Sequence, residues 1–302
     1  MFTPSYIELR RTGELHERVE QAYRLISPAC ELCPRRCGVD RLAGQAGVCR
    51  TGALPVVSSY GPHFGEEPPL VGCNGSGAIF FTSCNLRCVF CQNYEISHGG
   101  AGREVSIEEL ADMMLSLARQ GCHNINWVTP THQLPQILSA LEVAAEAGLD
   151  IPLVYNCGGY EPVKVLALLD GVADIYMPDA KYGNNEIGRE LSGVPDYWDR
   201  NQEALREMHR QVGDLALDSR GIAERGLLVR HLVLPGNLSG TREVMHFLAT
   251  EISKDTYVNV MEQYRPAYKA VGHPRIGRRI TSEEYAEAIR IARSEGLRRF
   301  AD

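Results

Sequence analysis

The sequence has no apolar run long enough to cross a membrane. Its longer apolar runs, such as residues 165–169 and 232–234, fall far short of the roughly 18 residues that a membrane span needs. Residues 1–20 are polar and of mixed charge, and they lack the apolar core of a secretory signal. These absences predict a cytoplasmic protein that does not associate with a membrane.

An excess of positive charge is also missing. The 302 residues carry 31 Lys and Arg against 38 Asp and Glu, which gives a formal net charge of −7. This balance argues against a protein that binds nucleic acid through bulk positive charge, so we expect no nucleic-acid partner. Hydrophobic residues make up 44% of the chain, enough for a large core, which excludes a mainly disordered protein.

Ten cysteines are present, and seven of them fall in two tight groups. A cytoplasmic chain of this length does not need disulfides, so grouped cysteines predict metal ligands. The first group is Cys30-x2-Cys33-x3-Cys37-x11-Cys49, and it follows a predicted helix over residues 8–26. Four thiolates with glycines between them suit one site, and zinc and iron–sulfur clusters both accept four cysteine ligands. Four free cysteines in a loop are the alternative.

From residue 77 onward, short apolar runs alternate with helical patterns. The runs are residues 78–82, 125–129, 153–156, 174–177, 227–234 and 257–261. Helices are predicted over residues 106–120, 135–147, 162–169, 198–212, 241–253 and 282–294. Strands that alternate with helices in this way form a parallel α/β sheet. The sequence thus predicts a helix plus cysteine-rich extension over residues 1–64 and an α/β domain over residues 65–302.

The second cysteine group is Cys84-x3-Cys88-x2-Cys91, in the loop directly after the first predicted strand. Three thiolates at this spacing can converge on one inorganic centre and leave a coordination position open for a ligand. The alternative is a zinc knuckle that takes its fourth ligand from elsewhere, for example Cys73 or His98. The position favours catalysis, because active sites of parallel α/β folds lie at the carboxyl ends of the strands.

With Phe90 before its last cysteine, this motif resembles the signature of the radical S-adenosylmethionine (SAM) superfamily. Residues 77–84, 91–97, 179–181 and 233–236 are similar to its pyruvate formate-lyase activating-enzyme-like branch. The resemblance implies a partial (β/α)6 barrel of the TIM type and a [4Fe–4S] cluster held by the three cysteines. It also implies reductive cleavage of SAM to a 5′-deoxyadenosyl radical that abstracts hydrogen, with the electron coming from a low-potential donor such as flavodoxin or ferredoxin.

The resemblance also places cofactor contacts at the carboxyl ends of the strands. The expected contacts are Phe90, Thr129, Thr131, His132, Asn156, Asp179, Lys181 and Tyr264. Lys181 is expected to reach the carboxylate of SAM, and Asp179 to orient it or to hold a ribose hydroxyl. The alternatives are that Thr131 lies near a helix cap and that Asp179 and Lys181 form a surface ion pair. Arg230 and His231 alternate along one strand, so one of them is expected to face the interior.

The substrate is left open by the sequence. Within the radical SAM hypothesis, one version abstracts hydrogen from a glycine of a partner enzyme, and another modifies a small molecule. A hypothesis of a different class is a zinc-stabilised α/β scaffold that binds a partner without redox chemistry. An electron-transfer protein with two clusters does not explain why the second group has only three local cysteines.

Overall fold

The computed structural model describes residues 2–301. Its strands are β1 (Val56–His63), β2 (Ser76–Phe81), β3 (Arg103–Glu104), β4 (Ile125–Val128), β5 (Leu153–Cys157), β6 (Ile175–Pro178), β7 (Ala216–Leu217), β8 (Ala223–Leu232), β9 (Tyr257–Met261) and β10 (Arg299–Phe300). Its helices are α1 (Tyr6–Thr12), α2 (Glu14–Arg24), α3 (Pro68–Val71), α4 (Tyr94–Ser97), α5 (Ile107–Arg119), α6 (Leu134–Glu146), α7 (Val163–Leu166), α8 (Asn185–Ser192), α9 (Tyr197–Val212), α10 (Thr241–Phe247) and α11 (Ser282–Ser294). Within residues 2–301, no helix is both long and apolar enough to cross a membrane.

The strands form one sheet in the order β10-β9-β8-β6-β5-β4-β2-β1-β3, with β7 beside β8. From β2 to β10 the neighbours along this path are parallel, whereas β1 and β3 add an antiparallel edge. The sheet path ends at β3 and β10, so the barrel is open among the described residues. The parallel strands β2, β4, β5, β6, β8 and β9 match the predicted runs, which confirms the partial (β/α)6 fold.

Burial explains why these strands read as continuous apolar runs. Every residue of β5 and β6 is buried, as expected for central strands covered by helices on one side and filled by side chains on the other. The largest side chains of this core, Trp127, Tyr155 and Tyr176, are fully buried. A capping box begins α5: Ser106 Oγ accepts from Glu109 N–H at 3.1 Å, and Glu109 Oε2 accepts from Ser106 N–H at 2.8 Å.

Two helix predictions are wrong in detail. The single helix predicted over residues 8–26 is divided into α1 and α2, because Gly13 between them adopts the left-handed conformation with φ of 83°. The helix predicted over residues 241–253 is α-helical only to Phe247 and continues as π-helix over Leu248–Ile252. Helix α8 has no counterpart in the prediction.

The strand β1 was also missed. The sequence analysis predicts no strand before residue 77, but Val56–His63 pair antiparallel with β2. Gly61 and Pro62 interrupt the pattern of residues by which a strand is recognised in a sequence. Proline is tolerated there because β3 pairs with β1 only at Val56 and Val57, so the outer edge beyond is unpaired. The last part of the predicted extension therefore lies in the same sheet as the barrel strands.

Residues 25–55 contain no helix or strand, and we call this segment the knob. Its Arg41 side chain is buried and donates from Nη1 to the carbonyl of His132 at 2.8 Å and from Nη2 to that of Gly52 at 3.0 Å. Arg35 Nε donates to the carbonyl of Asn85, which lies between the first two cysteines of the second group. These hydrogen bonds hold the knob against the loop that follows β2.

Candidate active site

A cavity of about 430 Å³ lies at the carboxyl ends of the central parallel strands. Six parallel strands surround it: β2, β4, β5, β6, β8 and β9. Each contributes a lining residue that lies in the strand or directly after it, namely Phe81, Thr129, Asn156, Asp179, Arg230 and Met261. This end of a parallel α/β sheet is where such folds place their active sites. The cavity is therefore the candidate active site.

All three cysteines of the second group line this cavity. Cys84 Sγ accepts from Leu86 N–H at 3.3 Å. Cys88 Sγ lies 2.9 Å from Ser192 Oγ, and Cys91 Sγ lies 3.1 Å from Ser97 Oγ. Each sulfur thus has a polar neighbour of the kind that orients and tunes cysteine ligands of a metal centre.

The structure separates Cys73 from the three cysteines that line the cavity. Cys73, one of the residues considered as a fourth zinc ligand, precedes β2, whereas Cys84 follows that strand at its opposite end. Burial raises the pKa of the Cys84 and Cys88 thiols, so a metal must displace their protons when it binds.

Phe90 lines the cavity, and two tyrosines hold its ring from behind. Its ring centroid lies 6.3 Å from that of Tyr182 and 6.0 Å from that of Tyr264, both in edge-to-face geometry. Tyr264 is buried, and its hydroxyl donates to the carbonyl of Ile276 at 2.7 Å. The structure therefore brings Phe90 to the cavity and leaves Tyr264 one layer behind it.

A network of charged side chains lines the same cavity as the cysteines. Asp179 accepts from Lys181 Nζ at 2.5 Å and from Arg230 Nε at 3.0 Å. Arg230 also donates from Nη2 to Asn156 Oδ1 at 2.7 Å, and its Nη1 lies 3.4 Å from Glu66 Oε2. The side chains of Lys181, Arg230 and Asp179 are only 18%, 17% and 15% exposed. They form a largely buried network rather than the surface ion pair considered from the sequence.

The charges of this network stabilise one another. Burial alone would raise the pKa of Asp179, but the adjacent Arg230 and Lys181 charges hold it below its ordinary value. Burial opposes the charged form of Lys181, yet the Asp179 carboxylate raises its pKa above that of a free lysine. Burial raises the pKa of Glu66, and Arg230 only partly offsets this. Lys181 is therefore held in the cavity as a cation, in a position where it can meet an anionic ligand group.

Arg230 and Glu66 were not among the predicted cofactor contacts. Arg230 faces the cavity, whereas His231 faces the other side of β8, where its Nε2 lies 3.0 Å from Thr241 Oγ1. The alternation along the strand indicated that one of the two faces inward but not which one. Glu66 follows β1, a strand that the sequence analysis does not predict, so no sequence signal pointed to it.

The backbone at the cavity is strained in two places. Thr129, directly after β4, has φ of 61°, and Ser83, just before the first cysteine, has φ of 73°. Residues other than glycine rarely adopt this conformation, and those that do cluster at functional sites. Thr129 N–H donates to the carbonyl of Asn156 at 2.8 Å, which joins the ends of two neighbouring strands. Both Thr129 and Asn156 line the cavity.

Thr131 and His132 do not line the cavity. Thr131 Oγ1 donates to Glu161 Oε1 at 2.7 Å, and neither residue lines the cavity. His132 is buried on the side of the knob, and its Nε2 lies 2.7 Å from the carbonyl of Thr82, to which it donates. Burial lowers the pKa of His132 to about 4, so its ring is neutral. The turn of 3-10 helix at Thr131–Gln133 carries these side chains away from the site.

The four cysteines of the first group come together in the knob. Cys30, Cys33, Cys37 and Cys49 line one small cavity, which is distinct from the candidate active site. His132 and Asn85 line it from the α/β domain. The sequence grouping of these four residues is therefore also a spatial grouping.

The comparisons with known proteins agree with this architecture. The profile of the radical SAM superfamily matches residues 78–217. An uncharacterized protein of Methanocaldococcus jannaschii is 35% identical over 278 residues, covering 89% of this chain and 75% of the relative. A second uncharacterized protein of that organism is 24% identical over 274 residues, covering 81% of this chain and 73% of the relative.

Among solved structures, methylornithine synthase is 16% identical, with a TM-score of 0.48, over 72% of this chain and 62% of that one. SuiB of Streptococcus suis, bound to its precursor peptide SuiA, is 13% identical, with a TM-score of 0.49, over 72% of this chain and 46% of that one. The chain thus spans less than two thirds of either of these two proteins.

Proposed function

The chain belongs to the radical SAM superfamily, and we propose that it generates a 5′-deoxyadenosyl radical to abstract hydrogen from a partner protein, as glycyl-radical activating enzymes do. Its cofactors are a [4Fe–4S] cluster and SAM. When bound, the reduced cluster supplies the electron that cleaves SAM to methionine and the radical. The zinc-stabilised scaffold considered from the sequence is not retained, because the family consists of enzymes.

One observation carries this proposal. Three cysteines and a largely buried network of Asp179, Lys181 and Arg230 line one cavity at the carboxyl ends of the strands. The thiols suit an iron–sulfur cluster with one iron left for a ligand, and the charges suit the amino-acid part of SAM. An arrangement needed only for stability would not require both groups in the same cavity.

The residues of the cavity take separate roles in this proposal. Cys84, Cys88 and Cys91 hold the cluster. Lys181 binds the carboxylate of SAM through a charge-assisted hydrogen bond, and Asp179 holds Lys181 in place. The remaining expected contacts divide by position: Phe90, Thr129 and Asn156 contact the cofactor from the cavity wall, whereas Thr131, His132 and Tyr264 act through neighbouring side chains.

The size of the cavity supports a protein substrate. At about 430 Å³ it lies near the lower end of the roughly 300–1,000 Å³ typical of ligand pockets, so SAM alone takes up much of the space. A polypeptide segment can present its reactive carbon at the mouth without being enclosed. The small-molecule alternative has support from Glu66, a carboxyl group on the wall that is suited to an amine.

The electron must come from outside the site. We assign this role to a low-potential protein of the flavodoxin or ferredoxin class in the cytoplasm, where thiols remain reduced. The enzyme binds, orients and shields the reacting groups, and the donor supplies only the electron.

The primary test is SAM cleavage by the anaerobically purified and reconstituted protein. With dithionite as reductant, we expect 5′-deoxyadenosine from the wild type and none from Cys88→Ala, which should also lose the iron of this site. Cys73→Ala is the matched control, since this exposed cysteine lies at the opposite end of β2 and should leave cleavage unchanged. Cleavage retained in Cys88→Ala, or absent from fully loaded wild type, would contradict the assignment.

The substrate class is tested by isotope transfer. A cell extract from fully deuterated medium is divided by size into macromolecules and small molecules, and each fraction is incubated with enzyme, SAM and dithionite. Deuterium in 5′-deoxyadenosine from the macromolecular fraction supports a protein substrate. Deuterium only from the small-molecule fraction would replace this proposal with the small-molecule alternative.

A further inference from the structure

The knob contains a second site whose geometry the active-site chemistry does not explain. Cys30, Cys33 and Cys49 are buried, and with Cys37 they line one small cavity. Gly47 is needed beside them, because a Cβ at that position would lie 2.9 Å from Cys37 Sγ. The lack of a side chain at Gly47 thus leaves room beside the Cys37 sulfur.

Two buried polar atoms of the residues that line this cavity have no partner. His132 and Arg41 are each 1% exposed, and His132 Nδ1 and Arg41 Nε make no hydrogen bond. The other nitrogens of both side chains are bonded to carbonyl groups. Because the neutral His132 ring donates through Nε2, its Nδ1 is an acceptor without a donor, whereas Arg41 Nε is an N–H without an acceptor. A buried N–H without an acceptor is unfavourable, so Arg41 indicates that the cavity is built around a group that accepts a hydrogen bond.

The charge of the surroundings indicates what that group is. Three arginines line the cavity: Arg35, Arg36 and Arg41. A centre ligated by four thiolates carries net negative charge, which these side chains offset. Arg41 Nε requires an acceptor, and the sulfurs of an anionic cluster are acceptors. A cation held by neutral ligands would be repelled by the same residues.

The neighbouring site favours a cluster over zinc. The active-site cysteines belong to a family that ligates a [4Fe–4S] cluster, and Asn85, directly after Cys84, lines the cavity of the knob. A second iron–sulfur cluster at this position can exchange electrons with the first, whereas zinc has no redox chemistry.

The wall between the two cavities is very thin. Cys84 lines the active-site cavity, and the next residue, Asn85, lines the cavity of the knob. Arg35 donates to the carbonyl of Asn85, and His132 donates to the carbonyl of Thr82 two residues before Cys84. Residues 82–85 therefore separate the two sites and contact both.

We propose that the knob holds a second [4Fe–4S] cluster, ligated by Cys30, Cys33, Cys37 and Cys49, that relays electrons to the active-site cluster. This inference rests on the proposed function, because the acceptor is the cluster at Cys84. A one-electron donor of the ferredoxin or flavodoxin class is oxidised as the knob cluster is reduced. The knob cluster is oxidised in turn as the active-site cluster is reduced, and no bond forms or breaks in the relay.

The presence of the second cluster is tested by metal content and electron paramagnetic resonance. The triple variant Cys84→Ala, Cys88→Ala, Cys91→Ala keeps every knob residue, so its result does not depend on whether knob variants fold. We expect about four iron atoms per chain in this variant and about eight in the wild type. Its dithionite-reduced spectrum should be that of a [4Fe–4S] cluster and should not change with SAM.

The opposite variant separates this inference from the proposed function. Cys30→Ala, Cys33→Ala should keep about four iron atoms per chain, with a spectrum that SAM does change. Zinc, or no metal, in the folded triple variant would overturn the second cluster and leave the proposed function standing. Loss of SAM-dependent change in the double variant together with a normal triple variant would instead count against the proposed active site.

The relay is tested by reduction kinetics. With reduced flavodoxin as donor, we expect reduction of the active-site cluster to slow by about tenfold or more in Cys30→Ala, Cys33→Ala. Cleavage of SAM with dithionite, a small reductant that reaches the active site directly, should persist in the same variant. Equal rates with flavodoxin in wild type and variant would overturn the relay and leave the knob cluster a purely structural one.

Discussion

Glu161 is a buried carboxyl group that connects stability to pH. Thr131 donates to its Oε1 at 2.7 Å, and Tyr155 Oη donates to its Oε2 at 3.2 Å. Burial raises the pKa of Glu161 from 4.5 to about 8, and these hydrogen bonds only partly oppose the shift. The folded protein therefore holds this carboxyl group protonated at neutral pH, whereas the unfolded chain ionises it.

The sign and size of the effect follow from this difference. Between the unfolded pKa of 4.5 and the folded pKa of about 8, the folded chain binds more protons at Glu161 than the unfolded chain does. The stabilising contribution is therefore complete below the lower value and is lost as pH rises through the upper one. Each pH unit inside this window corresponds to about 1.4 kcal/mol. From about pH 6 to about pH 8, we expect wild type to lose about 2 kcal/mol relative to Glu161→Gln.

The assay is urea unfolding followed by far-ultraviolet circular dichroism, under anaerobic conditions at both pH values. The free energy of unfolding of Glu161→Gln is subtracted from that of the wild type at each pH, so titrating groups common to both proteins cancel. Glu146→Gln, on the exposed side of α6, controls for the loss of a carboxylate. A wild-type-minus-variant difference that is the same at both pH values would refute the reasoning.

The remaining predictions concern the active-site cavity. Asp179→Asn leaves two buried cations without their carboxylate and should lower the free energy of unfolding by about 3–5 kcal/mol in the same urea assay. An unchanged free energy of unfolding would show that the network is well solvated. Lys181→Ala should weaken SAM binding by roughly tenfold to a hundredfold in isothermal titration calorimetry, while the iron content stays constant. Loss of iron in this variant would contradict the assignment of Lys181 to SAM binding. Ser192→Ala removes the hydroxyl beside Cys88 Sγ and should lower the reduction potential of the cluster in a spectroscopic redox titration, because a hydrogen bond to sulfur stabilises the reduced state. An unchanged or raised potential would rule out that hydrogen bond as a tuning element.

Much of the barrel could be predicted because its strands are buried. Strand β9 matches its predicted bounds, Tyr257–Met261, and helix α11 matches Ser282–Ser294. Strand β1 could not be predicted, because it is an edge strand whose Gly61 and Pro62 break the apolar pattern. The same physical reason separates the two cases: burial on both faces leaves a continuous apolar run, and a partly solvated edge does not.

The candidate site could also be predicted only in part. The cysteines are close together in the sequence, so their spacing was enough to group them. The pairing of Asp179 with Arg230 depends on β6 and β8 being neighbours, which joins residues 51 positions apart. Thr131 and His132 follow a strand that ends at the cavity, but the turn after it directs them elsewhere. The periodicity of apolar residues predicts which way side chains point in a helix or strand, but not in a short turn.

The segment from Thr129 to His132 has a consequence for how this fold can vary during evolution. Its first residue lines the active-site cavity, and its last residue lines the cavity of the knob. An insertion or deletion here would displace one of the two walls whichever way the chain adjusted. Length variation among homologues should therefore be absent from residues 129–132 and from residues 82–85. It should be concentrated instead in surface turns such as residues 218–221, where an added residue disturbs neither cavity.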